Sequence, residues 1–511
     1  MHRGGHPIER GPALEGGEVL SQGGYKPHPA DGVDKRTLPF ATGQMRNISV
    51  GNCDYQRIFP STSWSSGSQV LVFEAPALQG QQGSMIDLRT SKIIVTFSAA
   101  TLSQDHTPAY MAGLLFASDV RMYLNGRQVT PSYQSLAPFA ALHKAMIRRR
   151  HCPYPIVATD EASSDALNHT SAIGDLLDGA DDLCFSPWCP MSGTGSSWEN
   201  ANSFPWTYGQ YRWRQKLGTT TFQVSLPLDL LLPLADQPSF LPADICSLRL
   251  EITPCNATFS TMITNPAYAL TNPTAQLWLR RVRLYAAGLS MTQAALNASG
   301  KYTYGMMVPQ IYSNIIPLGA TNFRTTLLAS GSRPQFLSIQ FVDPLALNLS
   351  TWDANDGGVN RFHPFQLNPA SFKAPVSSLV VRFGAERFPA YFDIGRENGG
   401  TWGTGYGTAP LEYQSYKESC LAISESDNQE TAVAPFIGSV AYQSGFFNVY
   451  HVNLTSNQQS VENRVRSAEK ANLSVDISFH AGMLADTAIV ITMMSNEVCE
   501  ISKTGDVGVS F

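Results

Sequence analysis

In "SVDISF", Val475, Ile477 and Phe479 alternate with Ser474, Asp476 and Ser478, and this period of two predicts a strand with one buried face. After "HAGMLADT" the chain is apolar on both faces from Ala488 to Met494, which predicts a strand covered on both sides. Similar runs recur along the chain: "QVLVFEAP", "SKIIVTFSA", "DVRMYLNG", "TFQVSLPLDLLL", "SLRLEIT" and "AQLWLRRVRLYA", then "FLSIQFVD", "SSLVVRFG" and "GFFNVYHVNL". Helical patterns are confined to "SLAPFAALHKAMIRR" and a short piece near "MTQAALNA". Many strands separated by turn signals predict an all-β sandwich or jelly roll.

The pattern occurs twice. "FQVSLPLDL" and "FNVYHVNL" place Asp229-Leu230 against Asn453-Leu454, 224 positions apart. Leu248, Leu250 and Ile252 match Leu473, Val475 and Ile477 at an offset of 225. "YLNGRQVTPSY" is echoed by "RFGAERFPAYF", each a strand, a tight turn, a proline and a tyrosine two places on. Each echo precedes a long insertion rich in Gly, Ser, Trp and Tyr. Two copies of one β-domain are therefore expected. The first spans 43–295 with an insertion at about 134–215, and the second spans 296–511 with an insertion at about 392–435. Both insertions should leave the same end of the fold and face outward. Residues 1–42, rich in Gly, Pro and His, cannot form a core and read as a flexible arm.

At 511 residues the chain exceeds one hydrophobic core, in keeping with two domains. Only 15% of residues are charged, below the roughly 25% of ordinary soluble domains, so flanks covered by partners are expected and contacts should be mostly apolar or uncharged. A net charge of −5 argues against a dedicated nucleic-acid binder. "KAMIRRRH", with Lys144 and Arg148 to Arg150, reads either as the polar end of a helix or as a basic spot facing nucleic acid or an acidic neighbour.

The eight cysteines are scattered. Cys184 and Cys189 in "CFSPWC" lack a second pair at zinc-finger spacing, so buried free thiols are expected. "MHRGGHPIERGPALEGG" has no apolar core and does not read as a signal peptide. No run reaches the roughly 20 apolar residues of a membrane span, and a soluble protein made in a reducing compartment is expected. The seven Asn-x-Ser/Thr sequons carry no weight without secretion.

No motif for a nucleophile, metal or cofactor is present, so no catalytic, cofactor-binding or metal residue is assigned and no enzyme activity is expected. "GTGYG", at Gly403, Gly405 and Gly407, misses dinucleotide spacing. "DANDGG" (353–358) begins like a calcium loop, but Pro364 stands where a bidentate Glu is needed. Trp198, Trp206, Trp213 and Trp402 could stack on sugars, or anchor a loop against itself or a neighbouring subunit.

"SMIDLRTSKIIVTFSA", "DVRMYLNGRQV", "SFLPADICSLRLEITP" and "AQLWLRRVRLYAAGLSMTQAAL" resemble, in order, the first jelly roll of double jelly-roll major capsid proteins. "FHPFQLNPASFKAPVSSLVVRFGAERFP", "GFFNVYHVNLT" and "NLSVDISFHAGMLADTAIVITMMSNEVCEI" resemble the second. The likeness is nearest to the capsid proteins of Polinton/Maverick elements and adintoviruses, relatives of adenovirus hexon, and spans nearly the whole chain after the arm. It implies two tandem eight-stranded jelly rolls and a homotrimeric, pseudo-hexagonal capsomer tiling an icosahedral shell. Trimer–trimer contacts, penton and minor capsid partners, and location in a virion assembled inside a host cell come with it. A carbohydrate-binding or carbohydrate-active β-sandwich protein is the alternative.

Overall fold

The computed structural model describes residues 48–62, 64, 70–79, 83–99, 117–146, 221–235, 240–254, 270–286, 301–328, 334–348, 352–353, 359–360, 376–388, 449–454, 472–479, 482–502 and 504–510. The first half holds β1 (Ile48–Ile58), β2 (Leu71–Ala75), β3 (Ser84–Ala99), β4 (Ala117–Leu124), β5 (Arg127–Gln128), β6 (Thr221–Pro227), β7 (Leu241–Pro242), β8 (Leu248–Pro254) and β9 (Leu270–Ala286). The second holds β10 (Lys301–Ile316), β11 (Asn322–Leu328), β12 (Pro334–Val342), β13 (Trp352–Asp353), β14 (Val359–Asn360), β15 (Val376–Phe383), β16 (Glu386–Phe388), β17 (Val449–Asn453), β18 (Asn472–Phe479), β19 (Thr487–Ser502) and β20 (Val507–Ser510). Among the described residues the first half holds two α-helices, α1 (Ala137–Met146) and α2 (Leu228–Leu231).

Strand order establishes the architecture. One sheet runs β1-β9-β3-β6, with β7 beside β3, and its partner runs β2-β8-β4-β5. In the second half the orders are β10-β19-β12-β17, with β20 beside β19, and β11-β18-β15-β16. Every ladder is antiparallel, and β13 and β14 form a separate two-stranded one. Strands β1, β2, β3, β4, β6, β8 and β9 alternate between facing sheets as their counterparts β10, β11, β12, β15, β17, β18 and β19 do. That is the jelly-roll order, written twice.

The duplication holds at the level of register. Leu248 lies opposite Leu124, which closes the β4–β5 turn, and Leu473 lies opposite Phe383, which closes the β15–β16 turn. The offset of 225 is therefore a structural equivalence. "FQVSLPLDL" and "FNVYHVNL" fall on the equivalent strands β6 and β17, but β6 ends at Pro227, where α2 begins. Proline has no N–H to donate to a ladder, so the apolar run that reads as one strand splits into a strand and a helical turn.

Alternation accounts for the cores. Leu71 and Phe73 on β2, Val120 and Met122 on β4, Leu250 and Ile252 on β8, and Ile93, Val95, Leu277 and Leu279 opposite them fill the first sandwich. Leu337, Ile339, Phe341, Ile489, Ile491 and Met493 face Leu379, Val381, Leu473, Val475 and Ile477 in the second. Phe341 sits edge-on to Tyr450 and to Phe479, each at 6.0 Å between centroids. As its pattern predicts, β19 is covered on both faces from Ala488 to Met494.

The arm at 1–42, the boundary at 295/296, "MTQAALNA", the four insertion tryptophans, Cys184 and Cys189, and most of both insertions lie outside the described residues.

Candidate assembly interface

The first insertion begins inside the molecule. Chain leaving β5 makes a tight turn in which Gln134 and Ser135 hold φ of +49° and +63°, and Leu136 N–H donates to Tyr133 C=O at 2.8 Å. The turn delivers α1, whose Ala137, Phe139, Ala140, Ala141 and Leu142 are all buried. An outward-facing insertion from residue 134 is thus corrected for its described part. A helix apolar on every side must be enclosed, and this one fills the seam between the two rolls.

Its floor is the outer face of β10-β19-β12-β17. His143 Nε2 lies 3.0 Å from Gln340 Oε1 on β12, and Nδ1 lies 2.7 Å from Thr492 Oγ1 on β19. An amide oxygen can only accept, so Nε2 carries the proton and Nδ1 accepts from the threonine hydroxyl. Beside them Ser338 Oγ and His451 Nδ1 are 2.9 Å apart. Burial lowers His143 to a pKa of about 4, against an opposing pull from the Gln340 bond. Burial, then the neighbouring His143, holds His451 well below the usual histidine range. Both imidazoles are neutral at pH 7.

The seam's other polar groups close helix ends and turns. Lys144 is buried and donates Nζ to Asp229 C=O at 2.7 Å, and Tyr133 donates its hydroxyl to Leu231 C=O. Both satisfy carbonyls of the short α2, which has no further turn to accept from. Lys144 is therefore neither a solvated helix end nor a basic spot; Arg148 to Arg150 lie outside the described residues. Tyr304 donates to Phe240 C=O across the seam at 3.1 Å.

Asn125, in the β4–β5 turn at φ +49°, joins the rolls again. Its Nδ2 donates to Ile245 C=O at 3.0 Å and to Gly505 C=O at 2.7 Å, in the β19–β20 turn. Its Oδ1 accepts from Ser247 N–H at 2.7 Å and Ser247 Oγ at 3.0 Å. A Cβ on Gly505 would stand 2.9 Å from that Nδ2, so the turn closes this tightly only on glycine.

The equivalent outer face in the first roll, on β1-β9-β3, is chemically different, and among the described residues Arg57 on it is exposed while Lys92, Trp278 and Arg280 are half-buried. Trp278 on β9 lies in register between Arg57 on β1 and Lys92 on β3. The Arg57 guanidinium stands 4.6 Å from the Trp278 ring centroid, and Lys92 Nζ stands 5.8 Å from it. Tyr55, 45% exposed, tilts against the same ring at 6.0 Å. Arg280 continues the row, 3.2 Å from Thr90 Oγ1 and 3.7 Å from Asp87. Arg57 is exposed, and Phe59 at the end of β1 is 65% exposed. This face is basic and aromatic. Cross-strand register brings its residues together, and nothing local in the sequence marks them.

In the second roll the β10–β11 and β18–β19 connections are laced together. Gly319 N–H donates to Met483 C=O at 2.8 Å, and Met483 N–H to Ala320 C=O at 3.0 Å. Leu318 and Leu484, 65% and 60% exposed, cap this end. Strand β17 starts at this end, as β6 does in the first roll. Of the cysteines, Cys246 and Cys499 are buried thiols as expected, but Cys53 is exposed. Among the described residues no group of three or more His, Cys, Asp or Glu is placed to hold a metal ion, and no helix is long and apolar enough to cross a membrane.

No family model and no curated protein matches this chain. Solved structures do. VP54 of PBCV-1, fitted into a reconstruction of the virophage Sputnik, is 12% identical at a TM-score of 0.49, covering 92% of this chain and 98% of its own. The mavirus major capsid protein is 11% identical at 0.46, covering 90% of each chain. The Faustovirus major capsid protein is 8% identical at 0.44, covering 88% and 90%. The strand order and registers of this chain stand independently of that likeness.

Proposed function

We propose that the chain is the major capsid protein of an icosahedral virus or virus-like element, acting as a homotrimeric, pseudo-hexagonal capsomer in the virion. One observation carries this: of two equivalent outer sheet faces, one is buried within the chain and the other, among the described residues, presents exposed side chains. The elements of the first roll cover the outer face of β10-β19-β12-β17, while on the matching face of β1-β9-β3 no described element covers Arg57 and Tyr55, which are exposed. A contact joining roll to roll head-to-tail is heterologous, and repetition between chains closes a ring when the rotation allows. Three chains of two rolls make six similar units, which suits hexagonal tiling.

The relationship is nearest to Polinton/Maverick and adintovirus capsid proteins, and penton and minor capsid proteins are further partners. The arm spans 1–42, and the two rolls span 43–295 and 296–511. Size-exclusion with light scattering should return three times the chain mass of 55.6 kDa, and negative-stain images should show hexagonal outlines. A monomer that binds glycans would overturn the reading in favour of a carbohydrate-binding protein.

A further inference from the structure

We propose that the Trp278-centred face of β1-β9-β3 is a docking surface for the acid-rich segment 389–448 of a second copy of this chain. The inference rests on the capsomer reading and names the chemistry of its joint.

Duplication identifies the occupant. Within one chain, the segment that follows β5 sends α1 onto β19 and β12, where His143 meets Thr492 and Gln340. The segment that follows β16 is its counterpart, and it spans 389–448. The counterparts of β19 and β12 are β9 and β3, which carry Trp278 and Lys92. A cover for this face drawn by the same rule from another copy is therefore 389–448.

Charge selects the same segment. This face presents Arg57, Lys92 and Arg280 around Trp278, with the acidic Asp87 2% exposed. Segment 389–448 holds seven Asp and Glu against Arg396 and Lys417, a balance of −5. The arm before β1 does not complement the face: residues 1–47 hold six Lys and Arg against five Asp and Glu. A guanidinium lying against an indole ring keeps its N–H edge for a carboxylate, so Arg57 is oriented for a bidentate partner before one arrives. Association steered by such a patch weakens with ionic strength.

The test uses the full chain and three variants. Arg57→Glu with Lys92→Glu should weaken trimer formation about tenfold or more at unchanged circular dichroism, since Arg57 is exposed and Lys92 only half-buried. The triple change Glu425→Lys, Asp427→Lys and Glu430→Lys should weaken it similarly. Combining all five changes in one chain should restore assembly to within about threefold of wild type. In an equal mixture of isotope-labelled and unlabelled chains, carbodiimide should link Lys92 to carboxylates of 389–448 in mixed-label peptides. A wild-type chain that forms no trimer would overturn the capsomer reading itself. A wild-type trimer indifferent to the reversal at Arg57 and Lys92 would overturn only the docking surface. Cross-links confined to single-label peptides, or no rescue in the fivefold variant, would overturn the second copy's segment as occupant.

Discussion

Acidifying the protein should loosen the seam through His143 before any surface group is considered. The imidazole is fully enclosed, faces Gln340 and Thr492, and titrates at about 4 instead of 6.5. The unfolded chain therefore takes up a proton near pH 6.5 that the folded chain refuses until about pH 4. Stability is complete above that upper value and falls across the window between them. A difference of this size is worth about 3 kcal/mol between pH 7 and pH 4. His143→Gln supplies a side chain that does not titrate, and it should cost about 1 kcal/mol at pH 7 for the disturbed Thr492 bond. Its further loss on acidification should be smaller than wild type by about 3 kcal/mol, the carboxylates being common to both. Urea unfolding of each protein at half-unit steps from pH 7.5 to 4 reads this directly. Parallel pH profiles would refute the reasoning, as would a wild type that gains stability on acidification relative to the variant.

The Asn125 clamp should be worth about 2 kcal/mol, measured as Asn125→Gly in urea, because glycine keeps the positive φ and loses only the four side-chain hydrogen bonds. Asn125→Ala should cost about 1 kcal/mol more, the price of a Cβ at φ +49° without a local hydrogen bond. Ser135→Gly should stabilise by up to about 1 kcal/mol, seen as a higher Tm, since it relieves a left-handed serine in the turn before α1.

Much of the fold is legible locally. Period-two alternation marks β18, the two-sided run marks β19, and the repeat of Leu248, Leu250 and Ile252 as Leu473, Val475 and Ile477 survives to the level of register. What the sequence hides is contact between distant residues. "APFAALHKAM" reads as a helix, but that it would be enclosed and its histidine meet a threonine on β19 depends on how two rolls pack. Lys144 looks solvated because lysine usually is, and it is buried because α2 presents carbonyls to it. Arg57 and Trp278 are an ordinary exposed cation and an ordinary aromatic until antiparallel register makes them neighbours. The strand-to-helix break at Pro227 was readable in principle from the missing donor.

Strand β19 has a consequence for how the molecule comes apart. It is the shared wall of both rolls: Ile489, Ile491 and Met493 belong to one core, while Ala488, Val490 and Met494 belong to the other. The duplicated unit of sequence is therefore not the cooperative unit of melting. Neither copy can let go of this strand without opening its sibling, so heat or denaturant should meet one transition where gene duplication alone would suggest two. During synthesis, a ribosome that has finished the first roll has made a half-house whose party wall is more than two hundred residues away, with α1 holding an apolar face to solvent until β19 arrives.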